Sequence, residues 1–250
     1  MVPGLPASHI FCETDFYNMI KKLTGKMVVI FSLFSFPGFG QIDEDKTGGW
    51  YMLFWNTTFK DSNWGIQGDF QHRNWDLIGD LEQLLLRGGI TYQPTGTQAK
   101  FTLGYGYVST GAFGESKSTT QESRIYQELL LPQKVGGRFY FTHRFRFEER
   151  FVENQDFRTR WRYNIFLNIP LNKNDLQPGV VYIAFYNELF INSQREIGNG
   201  NTVEIFDRNR TYGALGFTIK EGMRIQAGLM RQVTNNWKKK QIQLSLHKKF

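Results

Sequence analysis

The chain has 250 residues and 29.2 kDa, with 30 Lys and Arg against 23 Asp and Glu, a net charge of +7 and a mean hydropathy of −0.42. A single cysteine excludes a disulfide framework, and the low hydropathy excludes a bundle of membrane helices. Aromatic residues make up 16% and charged residues 21%; a soluble α/β enzyme takes its apolar content mainly as Leu, Ile, Val and Ala, so this balance favours β-structure.

From Met19 the chain reads MIKKLTGKMVVIFSLFSFPGFGQ: Lys21, Lys22 and Lys26, an apolar core from Met27 to Phe36, then Pro37 and the small-residue pattern Gly38-Phe39-Gly40. That order is the order of a secretory signal peptide, here residues 19–40, cleaved before Gln41. The core is about half of the roughly 20 residues a membrane helix needs. Residues 1–18, which hold Cys12, lie upstream of this signal and read as an over-extended N-terminus. Residues 41–250 are then a single domain without cysteine, carrying 27 Lys and Arg against 21 Asp and Glu, or +6. For an exported protein the expected counterpart of that charge is the anionic headgroups of outer-membrane lipids, not nucleic acid.

No long apolar run follows. Alternating segments of about ten to fifteen residues recur instead, near 50–60, 63–74, 81–93, 98–109, 122–131, 138–152, 157–170, 180–192, 204–219, 223–234 and 240–250, separated by Gly, Pro, Asn and Asp. Soluble strands run to about 5 or 6 residues, whereas tilted membrane-spanning strands need about 9 to 11. Short joins at Lys220-Glu221-Gly222 and Gln93–Thr97 contrast with long ones at Ser109–Gln121 and Ser193–Thr202, as in barrels with short periplasmic turns and longer external loops. The expected fold is an all-β, antiparallel, up-and-down transmembrane barrel. Eleven segments are legible; a barrel with both ends in the periplasm needs an even number, so twelve strands are expected, one being split, merged or missed between Trp50 and Arg87, with ten as the next count.

Parity resolves the stretch from Gly137 to Phe151, GRFYFTHRFRFEERF. Side chains of a strand alternate between its faces. Phe139, Phe141, His143, Phe145, Phe147, Glu149 and Phe151 share one face, and Arg144, Arg146, Glu148 and Arg150 share the other. An Arg facing lipid at mid-bilayer costs roughly 2 to 4 kcal/mol, so the charged face looks inward. The following segments repeat the scheme: Arg158, Arg160 and Arg162 oppose Trp161 and Tyr163, Glu188 opposes Leu189, and Arg208 and Arg210 oppose Leu215 and Phe217. The inner wall is therefore rich in Arg, with Glu148 and Glu188 as natural counter-ions in a cross-strand network. The last segment, QIQLSLHKKF, alternates in the same way and ends on Phe250, which resembles the C-terminal signal read by the outer-membrane barrel-assembly machinery.

On these residues the chain resembles a family of outer-membrane β-barrels, common in Bacteroidetes, labelled domain of unknown function 2490. The resemblance rests on Trp50, on HRFRFEER (His143–Arg150), on RTRWRYNIFLNIPL (Arg158–Leu171), on YNELFIN (Tyr186–Asn192), on RNRTYGALGF (Arg208–Phe217) and on a closing strand containing His247. It implies a barrel in the bacterial outer membrane and carries over no catalytic residue.

His143 sits mid-strand on the expected lipid face. Outer-membrane phospholipases place a Ser-His-Asn set on the barrel exterior, but the serine wanted two residues later is Phe145 here; a bulge turning His143 inward and an interfacial position are the other readings. The inward Arg and Glu residues either form a salt-bridge plug or line a path for a ligand or ion. Glu148 and Glu188 could be an acid/base pair, though amid so much Arg they read as counter-ions. Gly104-Tyr105-Gly106 lacks the spacing of a phosphate loop and reads as a closely packed strand. His72, His143 and His247 are scattered, so no metal and no cofactor are expected. Lys238-Lys239-Lys240 reads as an external loop. Two roles stay open: a structural or narrow transport barrel, and a lipid- or lipopolysaccharide-modifying enzyme near His143.

Overall fold

The computed structural model describes residues 45–250, so the expectations placed on residues 1–18 and 19–40 lie outside the described residues. Eleven strands follow in chain order: β1 (Gly48–Thr58), β2 (Trp64–Asn74), β3 (Leu81–Tyr92), β4 (Lys100–Gly111), β5 (Thr119–Val135), β6 (Phe139–Val152), β7 (Arg158–Pro170), β8 (Val181–Asn192), β9 (Phe206–Lys220), β10 (Met223–Val233) and β11 (Lys238–Lys249). Each pairs antiparallel with its chain neighbours, and β1 closes on β11. Alternating aromatic, β-branched and polar residues suit a pleated surface with unlike faces. Glycines supply the tight reversals where φ must be positive, as at Gly222 (φ 67) in the two-residue join of β9 to β10.

The expectation of twelve strands is corrected to eleven among the described residues. Each segment legible in the sequence is one strand, and none is missing between Trp50 and Arg87. What fails is the assumption that both ends share a side. β1 and β11 run parallel, in register from Gly48↔Gln241 to Asn56↔Lys249, and an odd number of up-and-down strands can close only through a parallel pair. The start of β1 and the end of β11 therefore lie at opposite mouths, the N-terminal and C-terminal mouths below. The joins at 75–80, 112–118, 153–157, 193–205 and 234–237 surround the N-terminal mouth; those at 59–63, 93–99, 136–138, 171–180 and 221–222 surround the other.

The outer face carries the apolar alternates. Leu229, Leu215, Leu103 and Trp161 are each more than half exposed, and they belong to a belt of exposed apolar side chains that runs round the barrel. On β11, Lys240 and Lys248 bracket the outward Ile242, Leu244 and Leu246, which sets the belt at about 26 Å along the strand at roughly 3.3 Å per residue. The inner face carries the charges, so the polar interior and apolar exterior invert the usual arrangement of a globular protein.

Candidate functional site: the charged lumen

Strands β5 to β8 project a lattice of carboxylates and guanidiniums into the lumen. Glu148, 1% exposed, accepts hydrogen bonds from Arg160 (Nη2 to Oε2, 2.6 Å) and Arg162 (Nη1 to Oε1, 2.6 Å), with Arg146 Nη1 3.8 Å away. Glu188 accepts from Arg144 Nη2 at 2.7 Å and from Arg162 Nε at 2.9 Å. Glu128 accepts from Arg146 Nε at 2.8 Å and from Gln67 Nε2 at 2.9 Å. Glu122 is held between Arg124 and Arg150, each donating from Nε at 2.6 Å, and Asp207 accepts from Arg160 Nη1 at 2.6 Å and Arg208 Nη2 at 3.0 Å. The planar guanidinium fork suits this work, since one Arg can serve two carboxylates.

Several contacts skip strands and so draw the walls together. Gln67 on β2 reaches Glu128 on β5, and Gln243 Nε2 on β11 donates to Tyr186 Oη on β8 at 3.0 Å. Arg210 on β9 lies between the rings of Phe190 on β8 (4.7 Å) and Trp50 on β1 (4.8 Å), and Arg73 stacks on Trp50 at 3.9 Å. Trp50 is itself fixed by Nε1 donating to Glu82 at 2.7 Å. Gly104 makes room on the wall: a Cβ there would lie 2.2 Å from Tyr126 Cζ, so the Tyr126 ring lies flat over the glycine.

At the N-terminal mouth, Trp75, Phe113 and Trp237 come together from three separate joins, with ring centroids 5.7 Å (Trp75 to Phe113) and 6.4 Å (Trp75 to Trp237) apart. Below them lies the ammonium of Lys239, 5.9 Å from the Trp75 ring. Lys239 is buried and inward, and β11 begins at Lys238, which corrects the reading of Lys238–Lys240 as an external loop. Toward the C-terminal mouth the lattice gives way to a cavity of about 340 Å³. There the join 171–180 folds inward: Leu176 packs with Val180, Tyr182 and Ala184, and Asp175 accepts hydrogen bonds from Lys134 and Tyr140.

All nine residues expected in the lumen network face inward: Arg144, Arg146, Glu148, Arg150, Arg160, Arg162, Glu188, Arg208 and Arg210. Arg210 differs from the others in having an amide, Gln232 Oε1 at 2.6 Å, as its hydrogen-bond acceptor. The sequence reading omits Asp69, Arg73, Glu82, Arg87, Glu122, Arg124, Glu128 and Asp207, all of which join the lattice or its margins. Alternation in DFQHRN and ESRIYQE carries the signal for five of these eight, and alternation of Leu85 and Arg87 with the outward Leu86 carries it for Arg87. Glu82 and Asp207 fall where the register shifts, so strand parity does not find them.

His143 faces outward and no bulge turns it in, since the registers of β6 with β5 and β7 run unbroken past it. Its Nδ1 lies 2.8 Å from Tyr163 Oη, and Leu131 and Ile165 stand opposite it on the adjacent strands. Phe250, 72% exposed, ends the chain with its backbone N–H bonded to Asn56 O at 3.0 Å.

The family described as protein of unknown function (DUF2490) matches residues 47–243. The chain belongs to that family. The match spans from just before β1 into β11, and so takes in the whole charged lattice of this DUF2490 member. No curated protein and no solved structure matches the chain.

Proposed function

We propose that the chain is an exported outer-membrane β-barrel whose lumen is held shut, a non-conducting barrel with a blind vestibule at one mouth. The membrane part of this reading is supported by the apolar belt, by strands of 11 to 17 residues against the 9 to 11 that a tilted span needs, and by the leader-like pattern in residues 19–40. The anionic outer-membrane lipids are then its solvent, and the assembly machinery that reads the strand ending in Phe250 its partner during biogenesis. The closed lumen is carried by one observation: Arg210 packed between Trp50 and Phe190, with the carboxylate lattice on one side of it and the aromatic cap beyond. In a barrel this narrow the interior is filled by side chains rather than water.

A lipid-modifying site at His143 has less support, because its cross-strand and same-face neighbours are Leu131, Phe145 and Ile165 and its polar partner is a tyrosine. The test is single-channel recording of the refolded protein in planar bilayers, alongside membrane fractionation of cells expressing it. Wild type and Arg146→Ala are expected to fractionate with the outer membrane and stay silent. The combined Trp50→Ala and Arg210→Ala variant is expected to pass anion-selective current. Steady anion-selective steps from wild type would overturn the closed-lumen reading.

A further inference from the structure

We propose that the C-terminal mouth binds a single-chain amphiphilic anion, which enters head first with its carboxylate or phosphate on the arginine floor and its chain along the apolar strip of Met52, Phe54, Leu130 and Phe166 above it. The proposal rests on the closed-lumen reading, because a through-pore would have no floor.

The shape comes first. The cavity of about 340 Å³ is lined from the middle of the lumen to the rim residues Asn56, Lys100 and Arg224, and none of Trp75, Phe113, Trp237 or Lys239 takes part in its wall. It is therefore blind at the N-terminal end. Its volume is at the lower end of ligand cavities, about 300 to 1,000 Å³, which suits one short chain and not a two-chain lipid.

Polarity changes with depth. Moving toward the C-terminal mouth, the inward position passes from Glu128 to Leu130 on β5 and from Asn164 to Phe166 on β7. On β1 it passes from Trp50 to Met52 and Phe54. Met52, Phe54, Leu130 and Phe166 thus form an apolar strip above the arginines, beside the polar Thr142, Asn168 and Gln226 of the same wall, and an amphiphile that enters head first can lay its chain on that strip. A small inorganic anion would leave the upper wall uncovered, and a neutral lipid would leave the floor unmatched.

The floor has cationic capacity to spare. Six Arg side chains line the floor (Arg73, Arg87, Arg144, Arg146, Arg162 and Arg210) against three carboxylates, Asp69, Glu128 and Glu188, with Glu148 behind Arg162 as a fourth, which leaves an excess of two positive charges; Lys100 and Arg224 add to it at the rim. Arg146 Nη1 and Arg144 Nε are buried without a hydrogen-bond acceptor, and the Arg146 side chain is only 4% exposed. Arg210, in the same wall, bonds an amide instead of a carboxylate. Guanidinium donors in this state bind carboxylate or phosphate oxygens in pairs, and in a site of low dielectric the excess charge favours an anion strongly.

The test is isothermal titration of the refolded, heat-modifiable barrel in a nonionic detergent with decyl phosphate, decanoate, decanol, decyltrimethylammonium and inorganic phosphate. Saturable one-to-one binding is expected for decyl phosphate or decanoate, at least about tenfold tighter than for the other three probes. Whichever of the two anions binds more tightly identifies the head as a phosphate ester or a fatty acid. Arg144→Ala with Arg146→Ala, and separately Leu130→Trp, which fills the chain site and leaves every charge in place, are each expected to weaken binding about tenfold or more. The proposal is overturned by the absence of saturable binding to folded wild type, by decanol binding equally well, by inorganic phosphate binding equally well, or by Leu130→Trp leaving the affinity unchanged. Conduction in bilayers would instead overturn the closed-lumen reading, so the two failures are told apart.

Discussion

The two sides of the lumen solve the same problem with different chemistry. Along β5 to β8 the inward residues are ionised and paired, whereas along β10, β11 and β1 they are mostly neutral: Gln232, Gln241, Gln243, Ser245 and Met52. Both arcs bury polar groups almost completely, Glu148 and Gln243 each to 1% exposure. The charged arc gains strong, directional bonds but cannot lose a member without stranding a charge. The amide arc makes weaker bonds, and a missing partner there strands only a dipole.

The largest effect is expected from Glu148→Ala, which removes the shared acceptor of Arg160 and Arg162. Breaking a buried ion pair on one side costs about 3 to 5 kcal/mol, and urea titration of the barrel in detergent micelles should read a loss of that size. Replacing Gln243 by Ala tests the other arc. It deprives Tyr186 Oη of its donor at 3.0 Å, and the same titration should show a loss of about 1 kcal/mol; a loss equal to that of Glu148→Ala would erase the distinction between the arcs.

The smallest effect belongs to the C-terminal mouth, outside both arcs. Hydrogen bonds from Lys134 and then Tyr140 hold the Asp175 carboxyl below its ordinary range. A depressed carboxylate pKa means that the tether is in place above the unfolded value of about 3.9 and is lost as pH falls through the lower, folded one. Asp175→Asn at neutral pH should therefore lower the hydrogen-exchange protection factors of the amides in 171–180, as acid does in wild type, without moving the unfolding midpoint. Screening by salt should blunt the difference, since all three side chains face solvent.

Much of the barrel is legible in the sequence because strand periodicity and the cost of misplaced charge point the same way. In β6 the alternation of Phe145 and Phe147 with Arg146 and Glu148 leaves one orientation, and the structure has it. The strand number is legible segment by segment and is lost only when a rule about shared ends is imposed on it. The lattice is less complete in the sequence for a local reason. Glu82 and Asp207 each occupy the extra residue of a β-bulge, where one strand carries two residues opposite one and the inside–outside alternation slips. Both are carboxylates turned inward, Glu82 toward Trp50 and Asp207 toward Arg160. The cap of Trp75, Phe113 and Trp237 leaves no sequence signal at all, because three joins far apart in the chain meet only once the sheet has closed. The blind cavity is likewise a product of depth along several strands and not of any one segment.

The parallel seam gives the molecule a sidedness that an even barrel lacks. In an up-and-down barrel of even strand number the two ends of the sheet emerge together, and a short linker could join them into a ring. Here Gly48 and Lys249 stand at opposite rims of the same seam, so a ring closure would need a linker as long as the wall is tall. Conversely, under the proposed membrane placement two epitopes attached at those points would face two different compartments, and a protease confined to one of them would remove one epitope and spare the other.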